Sequence, residues 1–285
     1  MSVAWSWWPA PAKLNLFLHV IGRCPDGYHE LQTLFQLIDL CDSIGLKVRQ
    51  DGLIQRLAGP SDVPAEQDLA IRAARALQQH AGVSLGADVQ VRKAIPAGGG
   101  LGGGSSDAAT VLLALNELWE CGLSEGDLAA LGLPLGADVP VFVRGSSAWA
   151  EGVGERLTPV TLPEAWYVIV HPRVPVSTTR VFQSPELTRN SPLITIRAFF
   201  ESGGRNDCEP VVRSLCPEVA EAMQWLERYA PAHLTGTGSC IFAACESAIE
   251  AERLAARVPE RWSSYVAHGL NTSPVQERLK PGRRD

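Results

Sequence analysis

The 285-residue chain has no Cys-x-x-Cys pair, no run of Lys or Arg, and no apolar stretch approaching the roughly 18 residues that cross a bilayer. Each absence excludes a class. Seven cysteines, Cys24, Cys41, Cys121, Cys208, Cys216, Cys240 and Cys245, are odd in number and scattered, which argues against a disulfide framework or a structural zinc site and suits a reducing cytoplasm. With 25 Lys+Arg against 31 Asp+Glu, the net charge is −6. Without clustered positive charge, neither a nucleic-acid partner nor a membrane surface is expected, so any phosphate must be held locally by backbone groups or a few placed cations. Residues Met1 to Lys13 carry three Trp and two Pro with no basic stretch before an apolar run, so no secretory leader is expected. Internal repeats are lacking too.

What is present is 46% hydrophobic residues, enough for substantial cores, in a length that suits one large or two medium domains. From Ala12 to Ile21 the residues nearly alternate, with Leu14, Leu16, Leu18 and Val20 on one strand face and Lys13, Asn15, Phe17 and His19 on the other. A turn at Cys24-Pro25-Asp26-Gly27 follows, then strands over Leu31 to Leu40 and Ile44 to Arg49. Composition predicts a helix over Asp68 to His80, a strand over Ala87 to Lys93, and a short helix over Ser124 to Leu131. Beyond about residue 155 helix patterns (Val211 to Leu215, Val219 to Tyr229, Ala248 to Arg257) interleave with strands at Trp166 to Val170, Cys240 to Ala244 and Tyr265 to His268. The tail from Lys280 to Asp285 reads as frayed. Interleaving in both halves predicts a two-domain α+β protein, divided as 1–155 and 156–285.

Six of the 26 glycines fall within Gly98 to Gly104. The strand ending at Lys93 runs into them, and Ala108, Val111, Leu112, Leu115, Leu118 and Trp119 then repeat at helical spacing, with the N-cap expected at Ser105 or Ser106. Side-chain-free residues before a helix let several N–H groups converge where the helix adds partial positive charge, so phosphate is the natural guest. A flexible linker would not open into an amphipathic helix. Walker A fails because no Gly-Lys-Ser/Thr is present. The dinucleotide fingerprint matches only because the stretch is glycine-dense, and its acidic position falls inside the helix, at Glu117 or Glu120.

Pro96-Ala-Gly-Gly-Gly-Leu-Gly-Gly-Gly-Ser-Ser106 resembles the phosphate-binding motif of the GHMP small-molecule kinases. Pro11-Ala-Lys-Leu-Asn15, Asp26-Gly-Tyr-His29, Leu135-Gly-Ala-Asp-Val-Pro-Val-Phe142, Ala150-Glu-Gly-Val-Gly154 and Thr235-Gly-Thr-Gly238 narrow the resemblance. They are similar, in register from about Pro9 to Pro274, to the branch of the family that acts on a cytidine diphosphate derivative of methylerythritol, on the non-mevalonate route to isoprenoid precursors. The resemblance implies the two-domain GHMP kinase fold with its active site in the inter-domain cleft, and transfer of the γ-phosphoryl group of ATP, with Mg2+, to a 2-hydroxyl.

By resemblance, Asp138 is the catalytic base and Lys13 stands beside it, with Asn15 on the same strand face contacting substrate. Read from residues alone, Asp138 caps a turn or helix and Lys13 is a solvated strand residue. Tyr28 and His29 are implied as cytidine contacts, with Thr178 and Phe182 a second contact segment and Phe182 able to sandwich the base against Tyr28. The ATP site is implied at Lys93 and along Pro96, Ala97, Gly98, Gly99, Gly100, Leu101, Gly102, Gly103, Gly104, Ser105 and Ser106. No pattern marks the metal ligands. Thr235 to Gly238 either supports the site or is a tight turn before a strand. Asp68 stands where the family more often has Asn, and Asp107 is an anion beside an anion loop, expected on the far side of the helix start. Competing readings are a GHMP kinase for homoserine or mevalonate and a nucleotide-binding regulator without catalysis; Asp26-Gly-Tyr-His29 speaks against the first, Lys13 with Asp138 against the second.

Overall fold

The computed structural model describes residues 4–24 and 27–280. Pro25 and Asp26 of the expected turn, and the tail beyond Lys280, lie outside the described residues. In chain order the elements are β1 (Ser6–Arg23), β2 (His29–Arg49), β3 (Ile54–Ala58), α1 (Leu69–Ala81), β4 (Gly86–Arg92), α2 (Gly103–Leu118), α3 (Glu125–Gly132), α4 (Val139–Arg144), β5 (Ala148–Gly152), β6 (Arg156–Pro159) and β7 (Trp166–His171). Then come α5 (Thr178–Gln183), α6 (Ile196–Ser202), α7 (Glu209–Leu215), α8 (Pro217–Leu226), β8 (His233–Leu234), β9 (Ile241–Cys245), α9 (Ala248–Ala255), β10 (Ser263–Leu270) and α10 (Pro274–Leu279).

The sheet runs β3-β4-β2-β10-β7-β9-β8, with β1 and β5 also on β2 and β6 on β5. Sequence patterning suggests two strands over Leu31 to Arg49; the structure has one, β2, which serves successive partners along its 21 residues. Opposite the consecutive Pro11 and Ala12 the register passes from Cys41 to Ile38, so Asp39 and Leu40 bulge from β2 without ending it. β10 pairs with β7 over Ser263 to His268 and with β2 at Gly269 and Leu270, so it carries the sheet from one half of the chain to the other.

Helices α1, α2, α3 and α4 bury one core against β1, β2 and β4, in which Ile71, Leu112 and Leu115 are essentially inaccessible. Each such side chain stabilises the fold by about 1.5–3 kcal/mol. A second core lies between α7, α8, α9 and strands β7 and β9, around Val168, Val212 and Met223. α10 returns to the first core through Val275. Alternation in β1 predicts one buried face, yet Leu14, Phe17, Lys13 and Asn15 are all buried. Both faces are covered: Leu14 packs with Ile95, Leu101 and Ile169 on one, Phe17 with Leu34, Trp149 and Leu162 on the other, while residues 205–207 bond along the strand's edge at Leu18.

Candidate active site

The glycine run follows β4 and bends back before α2, with Gly98, Gly100 and Gly102 at positive φ. At Gly100 no side chain fits: a Cβ would lie 2.1 Å from the Thr235 carbonyl oxygen. At Gly102 it would lie 2.9 Å from the Phe142 ring. The N-cap is Gly102, not Ser105 or Ser106, and no side chain caps the helix. The reason is backbone shape: a left-handed residue at 102 turns the chain directly into α2, so the serines already belong to its first turn. Uncapped first-turn N–H groups are free to meet an anion.

Residues 235–240 hold the loop from behind. The Ser239 N–H donates to Gly98 O at 3.2 Å and the Cys240 N–H to Gly99 O at 3.1 Å, while Thr235 Oγ1 donates to Gly100 O and accepts from the Asn15 N–H. Thr235 to Gly238 is thus both a tight turn before β9 and a support for the loop. Cys240 touches Gly99, and burial pushes its thiol pKa upward, making it a packing residue.

Lys13 and Asp138 meet across the cleft. Lys13 Nζ lies 3.5 Å from Asp138 Oδ2, donates to Gly100 O at 2.9 Å and to Asn15 Oδ1 at 2.5 Å, and sits over the Phe35 ring. Lys13 is 3% exposed, so the solvated-strand reading does not hold. Asn15 is aligned by donating to Thr33 Oγ1. Asp138 does occupy the N-cap position of α4, but its side chain makes no cap hydrogen bond and remains one-third exposed in the cleft. An ionised carboxylate beside a buried ammonium and facing open space can accept a proton from a bound hydroxyl.

Three cavities adjoin in a row. One of about 840 Å³ is lined by the glycine loop, Lys93 and Asp68. A central one of about 490 Å³ holds Lys13, Asn15 and Asp138 and shares Gly98, Gly100 and Ser105 with the first. The third, about 560 Å³, is lined by Tyr28, His29, Thr178 and Phe182, the last two shared with the centre. Tyr28 is 64% exposed, whereas Phe182 stacks on His29 with ring centroids 4.9 Å apart. Thr178 Oγ1 lies 2.9 Å from Thr237 Oγ1, tying this wall to the 235–240 turn.

The description of the GHMP kinases N terminal domain matches residues 68–146, and that of the GHMP kinases C terminal matches residues 186–264. The chain belongs to the GHMP kinase family. It is 55% identical over 284 residues to the 4-diphosphocytidyl-2-C-methyl-D-erythritol kinase of Alkalilimnicola ehrlichii, covering 99% of this chain and 97% of that one. Identity to the Nitrosococcus oceani protein of the same name is 57% over 273 residues, covering 96% and 98%. A crystal structure of 4-(cytidine 5'-diphospho)-2C-methyl-D-erythritol kinase superposes with a TM-score of 0.81 at 36% identity, covering 93% of this chain and 99% of that one. Homoserine kinase from Cytophaga hutchinsonii, at 18% identity and TM-score 0.69 over 94% and 95% of the two chains, shares the fold.

Several positions in this GHMP kinase are explained by partners that sequence alone does not reveal. Lys93 is not a free cation. Its Nζ donates to Asp42 Oδ2 and, at 2.7 Å, to Asp107 Oδ2, and these carboxylates outweigh the burial that would lower its pKa, so the net shift is upward. Asp107 is therefore turned towards Lys93, and burial raises its carboxyl to about 7, opposed by Lys93 and reinforced by Asp42. Asp42 also accepts from the Ala94 and Ile95 N–H groups, fixing where the loop begins. Asp68 caps α1 by accepting from Ala70 N–H and pairs with Arg56 at 2.8 Å, which neutralises the carboxylate. Leu101 turns its side chain into a core, and Ser106 is fully buried with its hydroxyl unpartnered, so Ser106 does not line the cleft as Ser105 does. Sequence reasoning missed Thr33, Asp42, Arg189 and Asn206, whose amide donates to Leu234 O and Gly236 O. Thr33 and Asp42 are marked only by being polar within a largely apolar strand, whereas Arg189 and Asn206 stand among polar neighbours and carry no mark.

Proposed function

We propose that this enzyme, a small-molecule kinase, transfers the γ-phosphoryl group of ATP to the 2-hydroxyl of 4-diphosphocytidyl-2-C-methyl-D-erythritol, giving the 2-phosphate and ADP in the methylerythritol phosphate route to isoprenoid precursors. One observation carries it: the Lys13–Asp138 pair lies in a cavity that shares walls with the glycine cradle on one side and with the Tyr28, His29 and Phe182 pocket on the other. That arrangement suits a substrate with a nucleobase at one end and a reacting alcohol at the other.

In this reading ATP occupies the glycine cavity, its phosphates held by the N–H groups of the loop and the start of α2, with Lys93 and the span Pro96 to Ser105 shaping the site. Asp138 takes the proton of the 2-hydroxyl, while Lys13 steadies that oxygen and the incoming phosphoryl group. Asn15 and Thr178 hold the substrate chain, and Tyr28 and Phe182 stack on the cytosine with His29 at its edge. Magnesium would enter with the triphosphate, and the oxygens of Ser105 and Asp138, which line the central cavity, are the side-chain groups that would help to hold it. When bound, magnesium supplies charge neutralisation on the phosphate oxygens. The family matches, 68–146 and 186–264, fall on either side of a division into domains 1–155 and 156–285, with the active site between them. No described helix is long and apolar enough to cross a membrane; we place the enzyme in the cytoplasm, where its nucleotide substrates are.

An ADP-release assay on the cytidylated substrate, set against homoserine and mevalonate, tests the reading. Turnover is expected on the first alone. Inactivity there with clear turnover of either alternative would refute it.

A further inference from the structure

Arg189 stands outside the reacting centre, yet its guanidinium binds both walls of the base pocket. Nε donates to His29 Nε2 at 3.2 Å; Nη2 donates to the carbonyls of Phe182 at 2.7 Å and Ser184 at 2.8 Å; Nη1 donates to Leu187 O at 3.0 Å. His29 begins β2, whereas Phe182 and Ser184 end α5, so one planar group spans segments from the two halves of the chain. At the α5 end it satisfies carbonyls that the helix leaves unpaired.

The donation to His29 has a chemical consequence. A ring nitrogen that accepts from guanidinium carries no proton, so the neutral imidazole keeps its proton on Nδ1. With Nε2 occupied, His29 offers a donor and no acceptor. Both cytosine and uracil carry an acceptor at O2, but at position 3 cytosine presents a bare nitrogen acceptor where uracil presents an N–H, so a donor facing position 3 separates them.

We propose that Arg189 is a positioning and specificity residue: it locks His29 as the Nδ1–H tautomer and clamps the His29–Phe182 stack, so that the ring's donor meets a base with an acceptor at position 3 and discriminates against uracil, whose position 3 is an N–H. This rests on the cytidine reading above. Burial and then the Arg189 and Arg23 charges hold the His29 pKa below its usual value, which keeps the ring neutral.

The test combines nitrogen NMR of His29 with steady-state kinetics on the cytidylated substrate and its uridine analogue. Wild type should show the Nδ1–H tautomer and prefer cytidine. Arg189→Met should shift His29 towards a protonated or Nε2–H ring. It should raise KM for the cytidylated substrate roughly tenfold, the equivalent of one charge-assisted hydrogen bond, narrow the cytidine preference, and leave KM for ATP unchanged. Arg189→Lys, which keeps one donor for His29 but not the fork to the α5 carbonyls, should retain the tautomer and part of the preference; it serves if Arg189→Met does not fold. An Nε2–H tautomer in wild type, or unchanged KM and base preference in Arg189→Met, overturns the proposal. Wild-type failure on both substrates instead overturns the cytidine reading and the specificity role with it, while the tautomer still decides the clamp.

Discussion

Lys13 Nζ lies 3.5 Å from Asp138 Oδ2, although the two residues belong to the first strand and to the start of α4. Asp138 has no competing cap bond, and Lys13 is anchored by Gly100 O and Asn15 Oδ1. Asp138→Asn keeps the size and removes the proton acceptor. Turnover should fall about 10²- to 10⁴-fold while ATP still binds. Stopped-assay rates with calorimetric ATP binding check this, and near-normal turnover removes Asp138 from its role.

Gly100→Ala should damage the cradle through two effects, the φ of +76° and a Cβ 2.1 Å from Thr235 O. Gly122, at φ +69° with nothing near its Cβ, isolates the first effect. Gly122→Ala should cost about 1 kcal/mol, and Gly100→Ala clearly more, with a raised KM for ATP. Equal melting temperatures for the two variants would mean that the loop yields without cost.

Tyr28→Ala should act on the other substrate. Loss of one face of a stacked base costs about 1–3 kcal/mol, so KM for the cytidylated compound should rise roughly tenfold with kcat much less affected. An unchanged KM counts against stacking.

Asp107 gives a pH signature. Its folded pKa is raised, to about 7, so the native state holds a proton that the unfolded chain releases near the ordinary carboxylate value. Stability from this group is present below the unfolded pKa and falls as pH rises through about 7. Asp107→Asn removes that loss: it should melt higher than wild type at pH 8 and show little gain at pH 4. A gain of the same size at both values would contradict the assignment.

Much of the site was legible because local pattern carries it. Alternation put Lys13 and Asn15 on one strand face, and they are hydrogen-bonded to each other; glycine density before an amphipathic run marked the cradle. What local pattern cannot carry is a partner supplied from far along the chain. Asp107 reads as an anion beside an anion site until Lys93 is seen next to it, and Asp68 as uncompensated until Arg56 is. Arg189 and Asn206 each hold backbone carbonyls of a turn or helix end, a job with no sequence signature. Helix α2 began at Gly103 because backbone handedness, not a hydroxyl, starts it.

The hydrogen bonds from Ser239 and Cys240 to the carbonyls of Gly98 and Gly99 impose an order of events on synthesis. A nascent chain that has not yet released Cys240 from the ribosome already owns every glycine of the run and its front contacts, Lys13 with Gly100 O and Leu101 O, but not the strand that holds it from behind. The full affinity for ATP therefore arrives late, with β9.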